Sequence, residues 1–186
     1  MQTTRVKDLM VPISQYATVS EDATLYEAFM ALEKVQQEFD PTKYLPRAIL
    51  VLSKNGQVVG KLTQMRVLRC LEPKYAEIGD TEALSRSGFS PEFLRSMLER
   101  YGLWSQPLSD LCGKAARLKV KDLITVPTET KYVDEDTSLS EAVHQLILGS
   151  EQSLLVKKGA EVVGILRVAD IFKEASEATK ACIIED

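Results

Sequence analysis

Apolar residues at Leu25, Ala28, Phe29 and Leu32 recur at i, i+3, i+4 and i+7. That spacing predicts an amphipathic helix with one buried face. Leu139, Ala142, Val143 and Leu146 repeat it further along. An extended segment leads into each helix, YATV at 16–19 and KYV at 131–133, and an acidic turn follows. In those turns Ser20 or Asp134 precedes the helix, and Asp22 or Asp136 is placed to cap it. Downstream, AILVLS (48–53) and QVVGKL (57–62) flank KNG. There Asn55-Gly56 predicts a hairpin whose turn takes positive φ angles. SLLVK and EVVGIL flank KGA in the same manner. A second helix is expected from near Thr63 or Arg167 to about Leu71 or Ser176. Each stretch thus reads β-α-β-β-α, and the fold class is α/β (α+β).

The two stretches are copies of one unit. VKDLM (6–10) returns as VKDLI (120–124), an offset of 114, and VSEDATLYEAFMAL (19–32) returns as VDEDTSLSEAVHQL (133–146) at the same offset. VVG at 58–60 returns at 162–164, an offset of 104, so the first copy carries ten extra residues around 34–47, where Pro41 and Pro46 mark a loop. The expected division is 1–75 for the first unit, 76–117 for an insert, 118–176 for the second unit and 177–186 for a tail. A unit of about 60 residues is marginal alone, whereas two packed together bury an adequate core. Within the insert, SPEFLRSMLERYG (90–102) has Ser90 to cap a helix, Pro91 at its first position and Gly102 to stop it. DTEALSRSG (80–88) suggests another short helix. Phe89, Phe93 and Trp104 give the insert apolar surface to bury.

The composition removes several function classes. Hydrophobic residues at 45% and charged residues at 27% are globular values and exclude disorder. A net charge of −4 gives no electrostatic reason to expect nucleic acid or an acidic membrane as partner. No apolar run is long enough to span a bilayer, and MQTTRVKDLM lacks the apolar core of a secretory signal. Cys70, Cys112 and Cys182 are scattered and odd in number, which suits a reducing cytoplasm and reads as buried or incidental thiols. The single histidine, His144, falls off the apolar stripe, and no cysteine cluster, phosphate loop or GxGxxG fingerprint accompanies it. The pairs Glu21–Asp22 and Glu135–Asp136 start helices in both copies, which reads as capping rather than acid–base chemistry. Nothing in the chain supports an enzyme.

The motifs VKDLM, EDATLYEA and GQVVGKLT, each repeated, resemble a tandem pair of CBS domains, a Bateman module, over about 5–73 and 118–176. The resemblance implies two units packed sheet to sheet about a pseudo-twofold axis. It implies clefts that bind adenosine-containing ligands such as AMP, ADP, ATP or S-adenosylmethionine, and a regulatory homodimer acting on a partner protein. It also implies a ligand signature Gly-x-x-Thr/Ser-x-x-Asp between the last strand and last helix. There the hydroxyl helps hold phosphate or ribose and the carboxylate accepts the ribose hydroxyls. The first copy has Gly60 and Thr63 but Arg66 in place of Asp; the second has Gly164 and Asp170 but Arg167 in place of Thr/Ser. Further cleft residues implied by the family are Ile13, Tyr16, Ala17 and Thr18, then Thr130, Tyr132 and Val133, with Ile49 and Ser153 opposite.

Local physics leaves alternatives open at these positions. Thr63 at a strand-to-helix join caps the helix or holds a ligand. Asp170 in a first helical turn complements the helix dipole or accepts ribose. Arg66 and Arg167 each place a cation where the helix N-terminus disfavours it, so a bound phosphate or a neighbouring acid must compensate. Tyr16 or Tyr132 stacks on a base or closes the core. Two functional readings follow: a sensor of adenosine ligands centred on Arg167 and Asp170, or a ligand-free homodimeric module docking through 76–117.

Overall fold

The computed structural model describes residues 4–38, 44–78, 88–124 and 127–184. The first unit contains β2 (Thr18–Ser20), α2 (Leu25–Glu38), β3 (Ala48–Leu52), β4 (Val58–Thr63) and α3 (Gln64–Leu71). The second contains β5 (Tyr132–Asp134), α7 (Leu139–Gly149), β6 (Ser153–Lys158), β7 (Glu161–Arg167) and α8 (Val168–Ile184). A one-turn helix precedes each unit, α1 (Val6–Leu9) and α6 (Val120–Leu123), and α1 is followed by a short strand β1 (Val11–Pro12). The insert supplies α4 (Pro91–Tyr101) and α5 (Leu108–Ala115). One sheet runs β2-β3-β4, and the other runs β1-β7-β6-β5. In each unit the first two strands are parallel and the hairpin is antiparallel.

The two VKDL helices are exchanged. Val6 is fully buried in the second unit's core with Leu139, Leu146, Leu154 and Leu166. Val120 and Leu123 are buried in the first unit's core with Leu25, Ile49 and Leu62. The backbone pairing matches in both copies. The amides of Val6 and Lys7 donate to the carbonyls of Thr137 and Glu135, and those of Val120 and Lys121 donate to Ala23 and Glu21. The lysines then reach the acidic turns: Lys7 Nζ lies 2.8 Å from Asp136, and Lys121 Nζ lies 3.0 Å from Asp22. These two aspartates were expected to cap helices, and they bind the exchanged segments instead. The caps are Thr24 and Ser138. Each hydroxyl accepts an amide three residues on, from Glu27 at 3.2 Å and Glu141 at 3.3 Å. The two glutamates accept in return, closing capping boxes.

A third apolar cluster joins the sheets: Val11, Tyr16 and Leu50 pack against Leu155 and Ile165. The two sheets therefore meet face to face along one seam. Gly164 allows the β1 crossing: a Cβ there would stand 2.8 Å from the Val11 carbonyl oxygen and 2.8 Å from Met10 Sδ.

Several local expectations change. In the first hairpin only Gly56 takes positive φ, at 77°, while Asn55 does not. The Gly56 amide bonds the Ser53 carbonyl, and the Ser53 amide bonds the Gln57 carbonyl, so the loop is wider than two residues. Phe29, placed on the apolar stripe, is 44% exposed. The last helix runs on to Ile184 rather than ending near Ser176. Ser90, Pro91 and Gly102 punctuate α4 as expected. However, Phe89, Phe93 and Trp104 stay exposed, while Leu103 is buried. Hydrogen bonds tie the insert down instead. Buried Glu72 accepts the Trp104 amide at 2.7 Å, and Lys74 Nζ donates to the Gly102 carbonyl at 2.6 Å. The helix expected at 80–88 falls almost wholly outside the described residues.

Candidate functional site

The strand-to-helix joins Thr63–Gln64 and Arg167–Val168 both border the seam. Strand geometry decides what faces it. Across β6 and β7, Ser153 pairs with Arg167 and Leu155 with Ile165; across β3 and β4, Ala48 pairs with Thr63 and Leu50 with Lys61. Directly opposed residues project to the same face. Both sets therefore line the seam.

At the second unit's join Arg167 and Asp170 form a buried bidentate ion pair. Nε donates to Oδ2 at 2.5 Å and Nη2 to Oδ1 at 2.6 Å, with the two side chains 7% and 10% exposed. Nη1 donates to the Tyr44 carbonyl at 2.8 Å. Tyr16, buried in the seam, sets its hydroxyl beside Arg167 and the Ala48 backbone. Burial holds the Tyr16 phenol above its ordinary value, and the guanidinium charge opposes that rise. The cation that local physics disfavoured at this helix start is thus compensated by a neighbouring acid one turn along.

At the first unit's join Thr63 caps α3, its hydroxyl accepting the Arg66 amide at 3.3 Å. The Arg66 guanidinium turns away from the helix start, and Nε donates to the Leu123 carbonyl at 2.7 Å. A backbone carbonyl meets the guanidinium there. The C-terminal carbonyls of a short helix lack intrahelical partners, and a cation satisfies them. Lys61, which the motifs do not single out, reaches across the seam to Ser153, the strand partner of Arg167. Its Nζ donates to the Ser153 carbonyl at 2.8 Å and the Ser153 hydroxyl at 3.0 Å, and stands 3.7 Å from Glu151. Lys131 also binds Glu151. With that carboxylate shared between two lysines, desolvation prevails and the Lys61 ammonium falls from 10.5 to about 8, helped by the nearby Lys131 charge. The signal was present in the repeat: Lys61 aligns with fully buried Ile165.

The remaining candidates disperse. Ile49 belongs to the first unit's core and does not line the seam. The β6–β7 turn is one residue shorter than the β3–β4 turn, so Ser153 matches Ala48 rather than Ile49. A one-residue slip exchanges the faces of a strand. Ala17 and Val133 are likewise core residues. Ile13 packs against the seam cluster. Thr18 is half-buried on β2 opposite Leu50. Thr130 is exposed, its hydroxyl 2.9 Å from that of Thr128. Tyr132 has its ring face covered by Lys157, whose Nζ stands 3.7 Å from the ring centroid. His144 is exposed. Among the described residues no group of three or more metal-ligating side chains comes together, and no helix is long and apolar enough to cross a membrane.

Two β-α-β-β-α units, joined through their sheets and completed by exchanged entry helices, define a tandem paired-unit fold. The family model for the CBS domain matches residues 6–73 and 120–177, and the chain belongs to that family. Solved structures agree in fold. A CBS domain-containing protein of unknown function from Bacillus anthracis superposes with a TM-score of 0.60 at 16% identity, covering 95% of each chain. The CBS domain of a membrane protein from Sphaerobacter thermophilus gives 0.59 at 21% identity, covering 92% of this chain and 88% of that one. CBSX2 in complex with AMP gives 0.56 at 17% identity, covering 94% and 98%. No curated protein matches the chain.

Proposed function

We propose that the protein is a non-catalytic sensor that binds an adenosine-containing ligand at the Arg167–Asp170 end of the seam and signals to a partner protein. The observation that carries this reading is the buried ion pair itself. It places a carboxylate suited to a ribose diol beside a guanidinium suited to phosphate, at a helix N-terminus and against an aromatic ring. The AMP complex of CBSX2, a protein of the same fold, supports the ligand class. AMP, ADP and ATP suit the guanidinium best, and S-adenosylmethionine offers a carboxylate in its place. The working form is a cytoplasmic homodimer. Exposed Tyr26, Phe29 and Met30 on α2, Ile147 and Leu148 on α7, and Phe172 on α8 give it apolar surface to cover.

Thermal denaturation with each of the four ligands at millimolar concentration tests the reading. A rise in midpoint with at least one, abolished by Asp170→Ala, is expected. No shift with any ligand would discard it in favour of the second reading, a ligand-free homodimeric module docking through the insert. That reading draws on exposed Phe89, Phe93, Leu94, Leu98 and Trp104. It is distinguished by partner binding that ignores nucleotides.

A further inference from the structure

No residue of α4 is buried, although the helix carries apolar side chains along most of its length. They fall in two adjoining i, i+4 rows. Phe89 leads the first row into Phe93, their rings stacked with centroids 5.6 Å apart, and half-buried Met97 and Tyr101 continue it. Leu94 and Leu98, 49% and 44% exposed, form the second. A groove between two such rows has the shape that receives a ridge of another helix. The charges on α4 indicate what that helix carries. At about 100° per residue, Arg95 lies about 60° from Leu98 and Arg100 about 20° from Phe93, while Glu92 and Glu99 stand about 100° away from the nearer row. Arginine is thus the nearest charge on either border, and the Arg100 guanidinium stands 5.7 Å from the Tyr101 ring centroid. The end of the helix is also fastened. Trp104 takes φ 54°, a left-handed conformation that is costly for an aromatic residue. Buried Glu72 fixes its amide, and its indole Nε1 donates to the Tyr75 hydroxyl at 3.1 Å. The groove is therefore held to the first unit from its C-terminal end while its apolar side stays open.

We propose that α4 is the surface through which the protein meets its partner, and that the partner presents an amphipathic helix whose apolar ridge is edged by acidic residues. This rests on the reading that the protein signals to a partner protein, and supplies the surface and the partner's chemistry. Both borders of the groove carry arginine, so a second copy of α4 laid on it, parallel or antiparallel, brings cation against cation. An acidic helix meets both borders favourably.

Calorimetric titration of the full chain with two synthetic helical peptides tests it. Both carry Leu at i, i+3, i+4 and i+7; one is edged by Glu and the other by Lys. The Glu peptide is expected to bind at least about tenfold more tightly, and the double variant Arg95→Glu, Arg100→Glu is expected to reverse that order. Arg95→Gln, Arg100→Gln, expected to make the two peptides equal, serves if the Glu variant does not fold. Leu94→Ser, Leu98→Ser is expected to weaken the Glu peptide at least about tenfold with an unchanged thermal midpoint, because both leucines are exposed. Equal affinities on the wild type, or an order that the folded arginine variants leave unchanged, would overturn the proposal. So would a dimer in sedimentation that the Leu94→Ser, Leu98→Ser variant dissolves, which would assign the groove to a second copy. Phosphatidylserine vesicles that bind α4 in preference to the Glu peptide would assign it to a membrane instead. The thermal shift with nucleotides is read separately on the same proteins, so loss of the docking surface and loss of the adenosine site are distinguished.

Discussion

Arg167 and Arg66 occupy related helix starts, yet one closes an ion pair within its own helix and the other crosses to the carbonyl of Leu123. Arg167 and Asp170 are both buried and depend on each other. Beside them, around the Arg167 strand partner Ser153, the charges are spread over Lys61, Lys131 and Glu151. Pairing balances the guanidinium within its own unit. Sharing one carboxylate between two lysines leaves the Lys61 cluster with excess positive charge.

The largest effect is expected from Asp170→Ala. Removing the carboxylate that holds the buried Arg167 guanidinium should cost about 3–5 kcal/mol in urea unfolding. The double variant Arg167→Met, Asp170→Leu should recover most of the loss, and equal destabilisation of the two proteins would remove the distinction drawn here. Next is Lys61→Ile, which restores the residue of the other copy. Lys61 holds its proton less tightly when folded, so between pH 8 and 10.5 the unfolded chain binds more protons and stability rises with pH. The variant should therefore be more stable than wild type by about 3 kcal/mol at pH 7, with the gap closing towards pH 10.5. A gap independent of pH would place the effect in packing rather than charge. Arg66→Met should cost about 1.5–3 kcal/mol, from loss of a charged donor to the Leu123 carbonyl, measured by the same unfolding. Thr63→Ala should cost about 1 kcal/mol, the cap alone, by the same unfolding.

Much of this architecture is written in local patterns. Helix spacing, hairpins and the duplication need only near neighbours and appear in the sequence directly. The exchange of VKDL segments does not, because two nearly identical pieces can complete either unit and local sequence cannot choose between them. Ile49 was misplaced for a different reason: one residue lost in a turn reverses which side of a strand faces the seam. Arg167 and Asp170 stand three apart, so their pairing was among the legible alternatives. Burial made it strong, and burial depends on Tyr16, more than 150 positions away in the chain. Lys61 was legible only by comparing the copies position by position.

The exchanged entry helices also bear on the order of events as the chain is made. The first unit lacks Val120 and Leu123 until synthesis has passed through the whole insert. Its own leading segment, held ready since Val6, belongs to a unit not yet produced. Early hydrophobic surface therefore waits unpaired for more than a hundred residues, and the two halves can close only late and almost together. Such a chain gains little from a head start at its N-terminus. Its maturation is a single late event, during which exposed core surface calls for protection.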